Sequence, residues 1–163
     1  METNRLYAGE ELREITFDRK FRHRYAISNY GRFLSFKEAF GDGNFLKGAV
    51  SDGYKTFRYS YLENGKLVTK HNFFSKLVAQ YFIPKTSEDQ IYVLHLDYVR
   101  DNDVVRNLRW ATRQEMLAHG KKSPHVILAK EKLLEHNIKA DGKVLTTTKV
   151  ILIKKMLKNP ERK

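Results

Sequence analysis

The apolar residues of this chain follow two spacings, and the change from one to the other predicts its elements. From Lys55 to Tyr61, Phe57, Tyr59 and Tyr61 fall on every second position, as a half-buried strand requires. Asn64-Gly65 follows, the strongest short hairpin signal, so Lys66 to His71 is expected to return as the partner strand. From Phe73 to Phe82 the period lengthens. Phe73, Phe74, Leu77, Val78 and Tyr81 share one helical face, and Pro84 closes the element. Upstream, Asn29-Tyr30-Gly31 is a turn between two short strand-like runs carrying Tyr25, Ile27 and Phe33, while GDGNFLKGAVSDGY (41–54) reads as loop.

Downstream, Ile91 to Leu96 is a short apolar strand. Thr112-Arg113-Gln114-Glu115 fits a capping box, which starts a helix at Arg113 that should stop at Gly120. Ser123-Pro124 starts another, with Ser as cap and Pro at the first helical position, running to about His136. Asp141-Gly142 turns the chain. Thr146 or Thr147 then caps a last helix bearing Val150, Ile151, Ile153 and Leu157, before Asn159-Pro160. No internal repeat is visible. A β-rich first half followed by helices makes the class α+β.

Composition narrows the options. The 163 residues suit one modest domain or two very small ones. With 41% hydrophobic and 12% aromatic residues the chain can build a core, which argues against disorder throughout. No apolar run approaches the ~20 residues needed to cross a bilayer, and METNRLYAGEELRE is too polar for a signal peptide. The absence of cysteine excludes disulfides and thiolate zinc sites. The simplest compartment is the cytoplasm.

Charge changes the picture more. Lys and Arg total 31 against 19 acids, a formal +12, and residues 120–163 hold 12 of the basic and 4 of the acidic residues. Two-thirds of the excess therefore sits in the last quarter of the chain. Such an excess favours a polyanionic partner, because each phosphate neutralised releases condensed counterions. A basic surface that only aids solubility is the plainer reading, and charge alone does not exclude it.

Three stretches then converge. RYAISNYGRFLSF (24–36) resembles the small nuclease-associated modular domain with its Tyr-x-Val-Ser-Asn-x-Gly-Arg-Val core, and SKLVAQYFIP (75–84) resembles the helix that follows it. HLDYVRDNDVVRNLRWAT (95–112) resembles the heart of the HNH homing endonucleases, His-Ile-Asp-Gly-Asn, then Asn-Asn, then Asn-Leu-Glu-Trp-Val-Thr. Order and spacing match from about Glu11 to His119.

The resemblance implies a ββα unit in which the His is general base on a water and a middle Asn braces the loop. One divalent ion, held by a residue just before the His and by another on the following helix, would stabilise the phosphate and the leaving oxygen. Carried over residue by residue, His95 takes the general-base position and Asn107 the bracing one, with Asp97 and Asn102 also matching. Leu94 stands where the first metal ligand belongs and Met116 where the second does. Neither side chain can serve an oxygen-seeking ion such as Mg²⁺. Tyr98 and Val99 replace the Gly and Asn after Asp97, so the loop is not expected to keep the family geometry unaltered. His95 and Asn107 thus read as vestigial catalytic positions, with no metal site and no cofactor; Mg²⁺ enters only if Asp97, Asp101 or His119 rebuild a site.

Nucleic-acid contacts are expected from Arg24, Asn29, Tyr30 and Arg32 in the first hairpin, and from Arg100, Arg106, Arg109, Arg113, Lys121 and Lys122. DNA is favoured over RNA. KVLTTTKVILIKKMLKNPERK (143–163) resembles the first helix of a helix-turn-helix whose second helix is not in this sequence; its apolar positions then need cover, and a partner chain is one source. Three segments are expected: 1–62 as the modular domain, 63–120 as the HNH-like ββα domain, and 121–163 as a basic helical extension. The functional expectation is a nucleic-acid-binding protein on an HNH scaffold without cleavage. The alternatives are a metal-dependent homing or nicking endonuclease with a rearranged site, and a basic subunit of a nucleoprotein assembly.

Overall fold

The computed structural model describes residues 5–140 and 145–158. The chain forms two compact units, Met1–His119 and Gly120–Lys163. The expected Asp141-Gly142 turn and Asn159-Pro160 stop lie outside the described residues.

The first unit mixes small antiparallel sheets with helices, and the α+β class holds. β1 (Leu12–Ile15), β2 (Arg24–Ser28), β3 (Phe33–Phe36) and β4 (Asn44–Leu46) form one sheet in that order. β5 (Ala49–Ser51), β6 (Tyr54–Glu63) and β7 (Lys66–Phe73) form a second, and β8 (Tyr92–His95) pairs with β9 (Leu108–Ala111) in a third. The predicted turns at Asn29-Tyr30-Gly31 and Asn64-Gly65 join β2 to β3 and β6 to β7. The boundary expected at 62/63 falls at the tip of the β6–β7 hairpin, where Glu63 pairs with Lys66.

One expectation needs correction here. The glycine-spaced patch is not all loop, since β4 and β5 lie within it, and β1 had no clear signal either. These strands are three or four residues long. Their hydrogen bonds come from edges already built, Phe33↔Leu46 on β3 and Ala49↔Thr56 on β6, and no apolar period is needed to place them.

One helix, α1 (Phe74–Phe82), ties the sheets together by touching β2, β6, β7, β8 and β9. It buries Phe74, Leu77, Val78 and Ala79. These meet Ile15, Ile27, Phe33 and Leu108 in the main core. Phe33 is the centre of an aromatic stack, 5.0 Å from Phe74, 4.8 Å from Phe57 and 5.5 Å from Tyr25. The other face of the first sheet buries Ala26, Leu34 and Phe36. With both faces covered, β2 and β3 read as apolar runs rather than as alternation. Trp110 is buried, its Nε1 donating to Ile83 O at 2.9 Å and Ala79 O at 3.3 Å, which seats β9 on the end of α1.

α2 (Arg113–Lys121) starts at its predicted capping box: Thr112 N donates to Glu115 Oε2 at 2.8 Å and Glu115 N to Thr112 Oγ1 at 3.3 Å. It ends one residue beyond the expected Gly120. In the second unit, α3 (Pro124–Ala140) starts at the predicted Ser123-Pro124 but outruns the expected His136 end, as nothing before residue 140 breaks it. α4 (Thr147–Leu157) is capped by Thr146, whose hydroxyl accepts from Lys149 N at 3.2 Å. Leu133, Leu134, Ile138, Ile151, Leu152 and Leu157 on these two helices are exposed.

Candidate nucleic-acid interface and the hairpin-helix loop

β8, the segment 96–107, β9 and α2 form a ββα arrangement, with His95 opposite Leu108 at the end of the β8–β9 ladder. The connecting segment is long and irregular, so its shape depends on side-chain hydrogen bonds. Asn107 supplies three of them. Its Oδ1 accepts from Asp97 N at 3.1 Å, and its Nδ2 donates to Asp97 Oδ1 at 2.9 Å and to Asn102 O at 2.8 Å. Asp97 extends the network, accepting from Val99 N at 2.9 Å and Asn102 Nδ2 at 2.6 Å. Desolvation opposes charge on Asp97, but the hydrogen bonds from Asn102, Val99 N and Asn107, with His95 nearby, outweigh it and hold the carboxyl below its ordinary value.

Tyr98 has a φ of +63°, the left-handed region that favours glycine. The substitution of a large ring at this position is accommodated because the ring stacks on His119 at 4.2 Å and 8°. His119 Nε2 also donates to His95 O at 2.9 Å. Both of its attachments are to the loop, and it is no solvated bystander.

His95 is only 7% exposed. Its Nε2 donates to Asp103 Oδ1 at 2.9 Å, and the Asp103 side chain is equally buried. Asp103 in turn lies against the first hairpin, where a Cβ on Gly31 would stand 2.5 Å from Asp103 Cβ. Gly31 has a φ of +73°, so both its conformation and this approach require glycine. Val105 N donates to Asn29 O at 2.8 Å beside it. The second sheet grips the same segment from another side: Arg100 Nη1 donates to Asp52 O at 2.8 Å and Lys55 Nζ to Asp101 O at 2.9 Å. The loop is pinned from three directions.

The two positions aligned with metal ligands are as apolar in space as in sequence. Leu94 is buried and Met116 half-buried. Asp97 and His119 are engaged as described, and among the described residues no three His, Asp or Glu side chains are gathered to hold an ion. The residues present therefore do not fit the divalent ion that the resemblance implies.

The ten residues singled out for nucleic acid sort into two groups. Arg24 makes a two-pronged pair with Glu14 and donates to Glu38 O. Asn29 holds Glu11 N and Gly9 O through its side-chain amide, and Tyr30 Oη donates to Ala8 O. Arg32 lies between the rings of Tyr7 and Phe45 and bonds Glu10 Oε2 at 3.2 Å. These four fasten the 5–15 segment to the hairpin. Arg109 is paired with Glu115 at 3.1 Å, while Arg100 gives one N–H to the Asp52 backbone carbonyl and makes no ion pair among the described residues. Arg106, Arg113, Lys121 and Lys122 are exposed and make no ion pair among the described residues. Lys55 went unnoticed in the sequence, where it is one lysine on an alternating strand; only its contact with the loop sets it apart.

Residues 13–60, from β1 into β6, match the NUMOD4 motif, where the resemblance of 24–36 to a nuclease-associated modular domain had pointed. A solved structure on DNA binding and cleavage by the HNH homing endonuclease I-HmuI is similar at 26% identity, with a TM-score of 0.43 over 72% of this chain and 62% of that one. This chain therefore spans less than two thirds of that enzyme's length. No curated protein matches. Among the described residues no helix is long and apolar enough to cross a membrane.

Proposed function

We propose that this protein binds nucleic acid, DNA in preference to RNA, on an HNH-type ββα scaffold that no longer hydrolyses it. The observation that carries this reading is the state of the hairpin-helix site. Its bracing Asn107 network is intact, while Leu94 and Met116 occupy the positions where an ion would be gripped. His95 can orient a water only from Nδ1, since Nε2 is committed to Asp103. With hydrocarbon and thioether in place of oxygen ligands, no bound ion would stabilise charge developing on a phosphate. The NUMOD4 motif and the +12 net charge support the binding half of the proposal. Arg106 and Arg113, and Lys121 and Lys122, are the exposed cations that would meet phosphates.

The test is a supercoiled-plasmid assay over a series of divalent metals, run beside His95→Ala. The expected result is salt-sensitive binding and no nicking. Metal-dependent nicking that His95→Ala abolishes would establish the nicking-endonuclease alternative instead. A second reading, a basic subunit of a nucleoprotein assembly, draws support from the exposed apolar residues of α3 and α4. A partner that stays bound through high-salt size-exclusion chromatography would favour it.

A further inference from the structure

A cleft of about 1100 Å³ opens in the first unit between the 5–8 segment, the first hairpin and the β4–β5 strands. That exceeds the roughly 300–1,000 Å³ that holds most single small molecules. Arg5, Arg32, Lys47 and Lys55 line it, and no Asp or Glu does among the described residues. Arg32 is compensated by Glu10, whereas Lys47 and Arg5 are exposed and make no ion pair among the described residues. Lys55 spends one proton on Asp101 O and keeps two. Between these cations the wall is apolar and accessible: Tyr7 is 58% exposed and Val50 70%, with Leu6 and Leu46 beside them. Interspersed cations and exposed apolar faces in one concavity call for a ligand with both negative charge and flat apolar surface.

From this we infer that the cleft binds unpaired nucleotides of single-stranded nucleic acid, phosphates on Lys47, Lys55 and Arg5 and bases against Tyr7 and the Val50–Leu46 wall. The inference rests on the nucleic-acid reading above and deepens it. A duplex presents phosphates and base edges but keeps its base faces stacked, and only an unpaired strand can offer those faces to an aromatic or aliphatic wall. An acidic peptide would satisfy the cations but leave the apolar wall without a matching surface. Position supports the assignment as well. Gly31 and Lys55 line the cleft and also touch Asp103 and Asp101, so a strand held there lies beside the His95 loop.

The experiment is fluorescence anisotropy of the full chain with labelled oligothymidylate, oligouridylate and a random-sequence duplex, repeated with Tyr7→Ala, Lys47→Gln and Val50→Glu. Tyr7 also braces Arg32, so Val50→Glu, on a side chain that is 70% exposed, guards against a loss caused by misfolding. The expected result is that wild-type protein binds either oligonucleotide, that Tyr7→Ala and Val50→Glu each weaken it roughly tenfold, as loss of one stacked base would, and that duplex affinity changes less than about twofold. Duplex binding without oligonucleotide binding, or oligonucleotide binding that ignores all three substitutions, overturns the cleft assignment and leaves the broader function standing. Displacement of oligonucleotide by polyglutamate at equal charge concentration also overturns it, in favour of a peptide site. Failure to bind either nucleic acid overturns both readings together.

Discussion

Asn107→Ala isolates the brace from any chemistry, because the side chain touches only its own loop. It is 9% exposed and makes three hydrogen bonds, to Asp97 N, Asp97 Oδ1 and Asn102 O. A neutral hydrogen bond contributes about 1 kcal/mol net and one to a charged group about 1.5–3. Asp97 N and Asn102 O lie near enough to solvent to recover part of the loss, and Asp97 keeps its bonds from Val99 N and Asn102 Nδ2. The cost should be about 3 kcal/mol, within the range expected when a buried network loses its hub. For a unit of this size that lowers the melting midpoint by roughly 10–15 °C. The assay is thermal or urea unfolding followed by circular dichroism, with Asp97→Ala and the double variant completing a cycle. Coupling of about 1–2 kcal/mol is expected between the two positions. A single-variant loss below about 1 kcal/mol, with additive double-variant behaviour, would show that backbone pairing alone shapes the loop.

Other outcomes follow from the same geometry. Gly31→Ala places a methyl 2.5 Å from Asp103 Cβ at a positive φ, and should cost at least about 3 kcal/mol or abolish soluble expression, as checked by unfolding and yield. Tyr98→Gly relieves backbone strain but loses the ring on His119, effects of about 1 kcal/mol each that nearly cancel, whereas Tyr98→Val gains no relief, loses the stack and should destabilise by about 1 kcal/mol in urea melts. The lowered carboxyls are Glu14 beside Arg24, Asp18 beside Lys70, Asp42 under the N–H groups of Lys37 and Glu38, Asp97 in its loop and Glu115 on Thr112 N. Their contribution is complete above about pH 4.5 and is lost as pH falls through their depressed values, so the melting midpoint should fall below about pH 4. A midpoint that rises on acidification from about pH 5 to 3 would contradict that assignment.

Charge pairing bears on how the basic excess is read. Arg24 with Glu14, Arg19 with Glu63 and Lys70 with Asp18 are exposed pairs that solvent screens, so they add little to stability. They nevertheless remove cations from the inventory available to a polyanion. Arg32 is withdrawn more completely, since the Glu10 carboxylate that faces it is fully buried. The cations free to meet phosphate are therefore fewer than the count of Lys and Arg implies, and Arg24 and Arg32 of the first hairpin are already paired.

The sequence alone determined the elements whose information is local. Alternation in 55–61, Asn64-Gly65, the helical spacing of 73–82 and the caps at Thr112, Ser123 and Thr146 all act within a few residues, so each could be read in place. It also supplied the apolar identity of Leu94 and Met116 and the positions of His95 and Asn107. Longer-range pairing set the short strands β1 and β4, whose hydrogen bonds go to β2 and β3, whereas β5 follows from the local Asp52-Gly53 turn, whose φ values of +50° and +82° fold it onto β6. Only the tertiary structure turned His95 onto Asp103, set His119 and Tyr98 face to face, and converted Arg24, Asn29, Tyr30 and Arg32 into fastenings of the 5–15 segment. The reason is the same in each case: a polar side chain's partner is set by what long-range packing brings within about 3 Å.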